Sequence, residues 1–245
     1  MTTLIWAHRG ASTHAPENTL AAFERAIQDG ADGIELDVRA AACGTIVVAH
    51  DPTIDRLAGR SGVVASMRAK ELAELDVETL AGRTRGMPKL DDAIDLTLGA
   101  NLQLNIELKG DVPSRVRASR LLSALLKRRS ASEREAMMVS SFRPEMLAML
   151  RALQTGIRVA FLFDAKNTGS ARAEALRLAL QPDGVHPIHT LATRESIARW
   201  RRLGHFVNVW TVDDEARLQG LARDSVDGVI VNDPERARRA LRRTA

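Results

Sequence analysis

Two short stretches of this 245-residue chain carry charged side chains where a buried strand would carry apolar ones. In Gly33-Ile34-Glu35-Leu36-Asp37-Val38-Arg39 the charges alternate with aliphatic residues, and Leu104-Asn105-Ile106-Glu107-Leu108-Lys109 repeats the pattern. Side chains at i and i+2 of a strand share a face, so Glu35 and Asp37 point one way, as do Asn105, Glu107 and Lys109. An edge strand with one wet face would read the same, but two such strands, each followed by a turn, argue for a shared polar site. Three carboxylates brought together repel and lose hydration unless a cation compensates them. Oxygen-only ligands select a hard divalent ion, Mg²⁺ or Ca²⁺, over zinc. His8 follows the apolar run Leu4 to Ala7, and His50 follows Thr45 to Ala49. Imidazoles at strand ends offer proton transfer near neutral pH. Arg9 and Lys109 add fixed positive charge suited to a phosphate, so the set points to phosphoryl chemistry.

The elements that must position these residues follow a repeating pattern: a short apolar or β-branched run, a polar turn, then helical periodicity. Strands are predicted at 4–7, 32–39, 45–49, 102–108, 137–141, 157–162, 183–186, 206–211 and 227–231. A helix with Asn18 or Thr19 as cap and Leu20, Phe23, Ala26 and Ile27 as its apolar stripe ends at Gly30; others are predicted near 90–98, 114–129 and 234–243. The segment 45–49 is close enough to 32–39 to pair with it through a turn at Gly44. Residues 51–87 form a longer polar excursion with one short helical stretch from Ala69 to Leu75. Eight strand-then-helix units of about 31 residues each fit a closed (β/α)8 barrel. A doubly wound open sheet would carry a Gly-rich turn after its first strand, and Gly10 alone is not that fingerprint. The expected fold is therefore an α/β TIM barrel, one domain over residues 1–245, with a small insertion between the second and third barrel strands.

Composition narrows the classes further. The chain is 45% hydrophobic and 27% charged, the profile of a globular protein able to bury a core. The single Cys43 rules out an internal disulfide, and no zinc-finger spacing occurs. The first residues lack a basic, then apolar, leader pattern, and no apolar run approaches the ~18 residues of a membrane span, so a cytoplasmic location is expected. A pI near 9.8 raises nucleic-acid binding, but with no Tyr, three Trp and five Phe there is little to stack on bases. The formal charge of +4 equals that of residues 235–245 alone, where five arginines face Glu235. The basic balance thus belongs to a terminal helix, expected to be a solvated face or an anionic contact surface.

Ala7-His8-Arg9-Gly10, Ala15-Pro16-Glu17-Asn18-Thr19-Leu20, Glu35-Leu36-Asp37-Val38 and His50-Asp51-Pro52 together resemble the glycerophosphodiester phosphodiesterases. Ile106-Glu107-Leu108-Lys109, Ser140-Ser141-Phe142, His186-Pro187, Val209-Trp210-Thr211-Val212 and Asp227-Gly228-Val229-Ile230 continue the match in order, across nearly the whole chain. The resemblance implies hydrolysis of a small glycerophosphodiester to glycerol 3-phosphate and an alcohol in a TIM barrel. It implies a divalent metal on Glu35, Asp37 and Glu107, His8 and His50 as general acid and base, Arg9 and Lys109 as phosphate ligands, and Phe142 and Trp210 as pocket walls. The excursion at 51–87 looks like the insertion covering the glycerol side.

Departures occur at Ala40-Ala41-Ala42-Cys43-Gly44, at Lys89 and at Val231-Asn232-Asp233-Pro234, where Thr-Asp is commoner. None falls on the metal, acid–base or phosphate positions. Plainer roles are expected elsewhere: His14 and His205 at the surface, His189 structural, His186 packing at the rim or supporting the site. Glu17 is expected first in a helix start and second as a brace for Arg9. Asp51 either orients His50 or opens a turn before Pro52.

Overall fold

The computed structural model describes residues 2–153, 155–166 and 180–242. In chain order the strands are β1 (Leu4–His8), β2 (Gly33–Ala40), β3 (Ile46–Val48), β4 (Asp76–Thr79), β5 (Gly82–Arg85), β6 (Gln103–Leu108), β7 (Met137–Ser141), β8 (Arg158–Phe163), β9 (Gly184–Pro187), β10 (Phe206–Val209) and β11 (Gly228–Val231). Strands β1, β2 and β6 to β11 pair in parallel, and β1 pairs with both β11 and β2, which closes the barrel. β3 folds back antiparallel on the end of β2, with Val38 opposite Val48. The predicted barrel is therefore the observed one, and predicted strand ends shift by a residue or two where local hydrogen bonds decide.

The helices are α1 (Leu20–Gln28), α2 (Asp55–Ala58), α3 (Ala69–Ala73), α4 (Leu90–Gly99), α5 (Arg115–Leu126), α6 (Ala131–Glu135), α7 (Pro144–Ala152), α8 (Arg194–Arg202), α9 (Glu215–Arg223) and α10 (Pro234–Arg242). Thr19 caps α1 by accepting from Ala22 N at 3.2 Å. The helical pattern expected after β8 falls on 167–179, outside the described residues. Alternation on the strands sorts their side chains into two layers. Ile34, Leu36, Val38, Leu104, Ile106 and Leu108 join the core that packs outward against the helices. Trp6, Met138 and Ile230 fill the barrel interior, with Phe206 and Trp210 packed against them.

The interior is crowded enough that three strand positions exclude a side chain. A Cβ on Gly33 would lie 2.5 Å from the Trp6 ring, one on Gly228 would lie 2.6 Å from Trp6 Nε1, and one on Gly184 would overlap the Phe206 ring. Gly33→Ala is expected to cost about 1–3 kcal/mol through overpacking, lowering the melting temperature by about 2–4 °C per kcal/mol. An unchanged thermal midpoint would show that Trp6 does not fill this space.

Between β3 and α4 the chain builds α2, a 3₁₀ turn (Val64–Ser66), α3 and the β4–β5 hairpin. This segment has its own apolar cluster, including Ile54, Leu57, Val64, Leu72, Val77 and Met87. Three of the four arginines of α10 are held in ion pairs at the surface. Arg236 pairs with Glu215 at 2.8 Å, Arg238 with Asp32 at 2.8 Å and Arg239 with Glu235 at 2.6 Å.

Candidate active site

The alternation on β2 and β6 brings the predicted carboxylates together. Asp37 stands opposite Glu107 in the register, two pairs above Glu35 and Asn105 and on the same face. All three acids are buried, and an oxygen from each lies within 4.8 Å of the others. Ligand distances of 2.0–2.6 Å let one hard cation bridge oxygens up to about 5 Å apart, so the donor set fits Mg²⁺ or Ca²⁺ in size and chemistry. Burial raises the Glu35 carboxyl well above its ordinary range, and the charges of Asp37 and Glu107 add to it. Burial and then Asp37 push Glu107 to about 7, against the pull of Lys109. Asp37 goes the other way: burial opposes its charge, but Lys109, Arg9 and His50 together hold it below the usual carboxylate range.

Two cations reach this cluster. Lys109 Nζ lies 2.7 Å from Glu107 Oε1 and 3.1 Å from Asp37 Oδ1. Burial disfavours its ammonium, yet Asp37 and Glu107 outweigh burial and raise its pKa. Arg9 occupies the left-handed region at φ 58°, uncommon for a residue with a side chain. That turn directs its backbone N–H to Glu35 O at 2.8 Å and Glu35 Oε2 at 3.1 Å. Its guanidinium pairs with Asp37 at 3.2 Å and Glu17 at 2.8 Å.

The two histidines stand at the ends of β1 and β3 with different partners. His8 Nδ1 lies 2.7 Å from the neutral Asn232 Oδ1, and His50 Nδ1 lies 2.7 Å from the carboxylate of Asp51. Burial lowers the pKa of His8, helped by Arg9; burial also lowers that of His50, with Asp37 opposing. Phe142 meets Trp210 edge-on, with ring centroids 5.5 Å apart, and Trp210 Nε1 donates to His186 O at 2.7 Å. A cavity of about 320 Å³ opens among His50, Glu107, Lys109, Asp111, Phe142 and Arg143.

Three residues at the site receive no site role from the sequence, where Asn18 reads only as a candidate helix cap. Asn18 donates to Asp37 Oδ2 at 2.9 Å and accepts from Asp37 N at 3.2 Å, a two-point hold on the central acid. Arg39, the third charge of the β2 alternation, is almost fully buried and donates to His50 O at 2.6 Å and to Asp111 at 2.7 Å. Its place in that alternation was the available signal. Arg56, from the insertion, pairs with Asp51 at 2.7 Å and Glu17 at 2.8 Å. An ionic chain thus runs Arg9–Glu17–Arg56–Asp51–His50 around the rim.

Two expectations need correcting, and a third, for His186, is narrowed. Glu17 is a brace for Arg9 and Arg56, because Thr19 takes the capping role. Asn232, read as a departure away from the acid–base positions, is the hydrogen-bond partner of His8. The His186 ring lies wholly inside the barrel, accepting from Asn208 Nδ2 at 3.1 Å, and burial pushes its pKa to about 3.

Residues 8–236 match the model of the glycerophosphoryl diester phosphodiesterase family. The chain belongs to this family. It is 31% identical over 240 residues to a glycerophosphodiester phosphodiesterase of Caldanaerobacter subterraneus subsp. tengcongensis, covering 96% of each chain. The crystal structure of a Thermotoga maritima glycerophosphodiester phosphodiesterase is 27% identical with a TM-score of 0.79, covering 98% of both chains. The fold is also that of an Oleispira antarctica phosphodiesterase determined with the product sn-glycerol-3-phosphate, 24% identical with a TM-score of 0.85, covering 98% of this chain and 97% of that one. The phosphodiesterase match takes in His8, Asn232 and every site side chain between them.

Proposed function

We propose that the protein hydrolyses glycerophosphodiesters to glycerol 3-phosphate and an alcohol, using a divalent cation, Mg²⁺ or Ca²⁺, on Glu35, Asp37 and Glu107. The observation that carries this reading is the buried carboxylate cluster within 4.8 Å, with Asp37 in the electrostatic field of Arg9, Lys109 and both imidazoles. When bound, the cation supplies Lewis-acid polarisation of the phosphoryl oxygens. Arg9 and Lys109 share the phosphate's negative charge, which grows on its equatorial oxygens in the transition state. His8, held through Nδ1 by a neutral amide, accepts at Nε2 a proton from the attacking oxygen, either water or the substrate's neighbouring hydroxyl, the latter giving a cyclic phosphate that water then opens to glycerol 3-phosphate. At His50 the Asp51 carboxylate, met by Nδ1–H, favours the charged ring against the burial that lowers its pKa, and His50 donates a proton to the departing alcohol as the P–O bond breaks. Phe142 and Trp210 wall the pocket around the glycerol moiety. Among the described residues no helix is long and apolar enough to cross a membrane. The exposed free thiol of Cys43 accords with the reducing cytoplasm this reading assumes.

Incubation with glycerophosphocholine should release glycerol 3-phosphate, stop with EDTA and resume on adding Mg²⁺ or Ca²⁺. Release that persists in EDTA would overturn the metal role. One observation favours a second reading, cleavage of acylated lysophospholipids. A cavity of about 450 Å³, lined in part by Val63, Val64, Ala65, Val112 and Pro113, adjoins the site behind the Arg39–Asp111 pair. Activity on lysophosphatidylcholine with none on glycerophosphocholine would select that reading.

A further inference from the structure

The partner of His8 is itself held in one orientation. Asn232 follows β11 directly, and Asp213 lies in the loop between β10 and α9. Asp213 accepts twice from Asn232: from Nδ2 at 2.6 Å and from the backbone N–H at 3.0 Å. A carboxylate only accepts hydrogen bonds, so the atom facing Asp213 must be the amide nitrogen. The amide oxygen is thereby turned to the other side, where Ser12 Oγ donates to it at 3.1 Å and His8 Nδ1 lies 2.7 Å away. An oxygen acceptor at that distance requires the His8 proton to sit on Nδ1. The neutral ring then has a bare Nε2. Were the amide reversed, Nδ2 would face His8, the proton would move to Nε2, and the ring could no longer accept a proton there.

We propose that Asp213 and Asn232 are positioning residues that fix the reactive tautomer of His8, with Asp213 acting through the Asn232 amide. The proposal rests on the reading of His8 as the proton acceptor, but its structural half can be tested without turnover. Long-range ¹H–¹⁵N spectra of the substrate-free protein at about pH 8, above the ordinary imidazole range, should show His8 protonated at Nδ1 and bare at Nε2. Asp213→Ala should produce a mixture of tautomers and lower kcat by about 10- to 100-fold, the usual cost of losing such a supporting partner. KM should be nearly unchanged, because binding does not depend on where the proton sits. Asn232→Ala should cost at least as much, and the double variant should match Asn232→Ala alone, because Asp213 has nothing left to act through.

An Nε2–H tautomer in the wild-type protein would overturn the proposal even if both variants failed to fold. So would an Asp213→Ala enzyme with wild-type kcat, a loss confined to KM, or additive effects in the double variant. Absence of glycerophosphodiester hydrolysis by the wild-type protein would instead remove the functional reading, leaving the tautomer assignment to the spectrum.

Discussion

His8→Ala and His50→Ala are each expected to lower turnover by about 10²-fold or more while leaving the fold intact. Neither imidazole belongs to an apolar cluster of the core, and each bonds through Nδ1 to one hydrophilic neighbour. Losing His50 leaves Arg56 still paired to Asp51 and Glu17, so the insertion stays anchored. The two variants should differ in one respect. A nitrophenolate leaving group departs without protonation, so an activated aryl ester should restore much of the His50→Ala rate and little of the His8→Ala rate. Near-normal turnover in either variant, with circular dichroism and thermal midpoint as in wild type, would remove that residue from the chemistry. Equal recovery of both on the activated ester would overturn the division of roles.

The carboxylates should separate activity from stability. Glu35→Gln, Asp37→Asn and Glu107→Gln are each expected to lower activity by about 10³-fold, the equivalent of several kcal/mol of lost metal-assisted charge stabilisation. Their effects on the EDTA-treated protein should diverge. Glu35 is buried against two other acids, so its neutral amide should leave stability unchanged or raise it. Asp37 is the acid that Asn18, Lys109 and Arg9 all converge on, so Asp37→Asn should cost about 1–3 kcal/mol. Urea denaturation in EDTA reads the difference. Equal destabilisation by Glu35→Gln and Asp37→Asn would mean that the acids are held alike and that the strain at Glu35 is absent.

What the sequence disclosed follows the reach of its signals. Alternation with a period of two exposes Glu35, Asp37 and Glu107, because a strand's faces are written in consecutive residues. The other barrel strands are legible as short apolar or β-branched runs, a signal equally local. The β4–β5 hairpin is not, since its polar residues are largely exposed and leave no alternation to read. Partners that meet across the closed barrel also leave no local trace: Arg56 reaches Glu17 over 39 positions and Asn232 reaches His8 over 224. Pro16-Glu17-Asn18-Thr19 shows how a local pattern can mislead. Its residues suit a helix start, but only Thr19 caps, while Glu17 and Asn18 turn to Arg9 and Asp37.

The tight packing beneath the site has a consequence for traffic. Trp6 spreads over the space left by Gly33 and Gly228, and Met138 and Ile230 complete a plug from which solvent is shut out. Among the described residues the site is therefore closed from below by this plug, and its cavity opens on the side of His50, Phe142 and Arg143. If the proposed hydrolysis takes place there, the substrate enters and both products leave on that open side, so a bulky alcohol is expected to slow turnover through slower release.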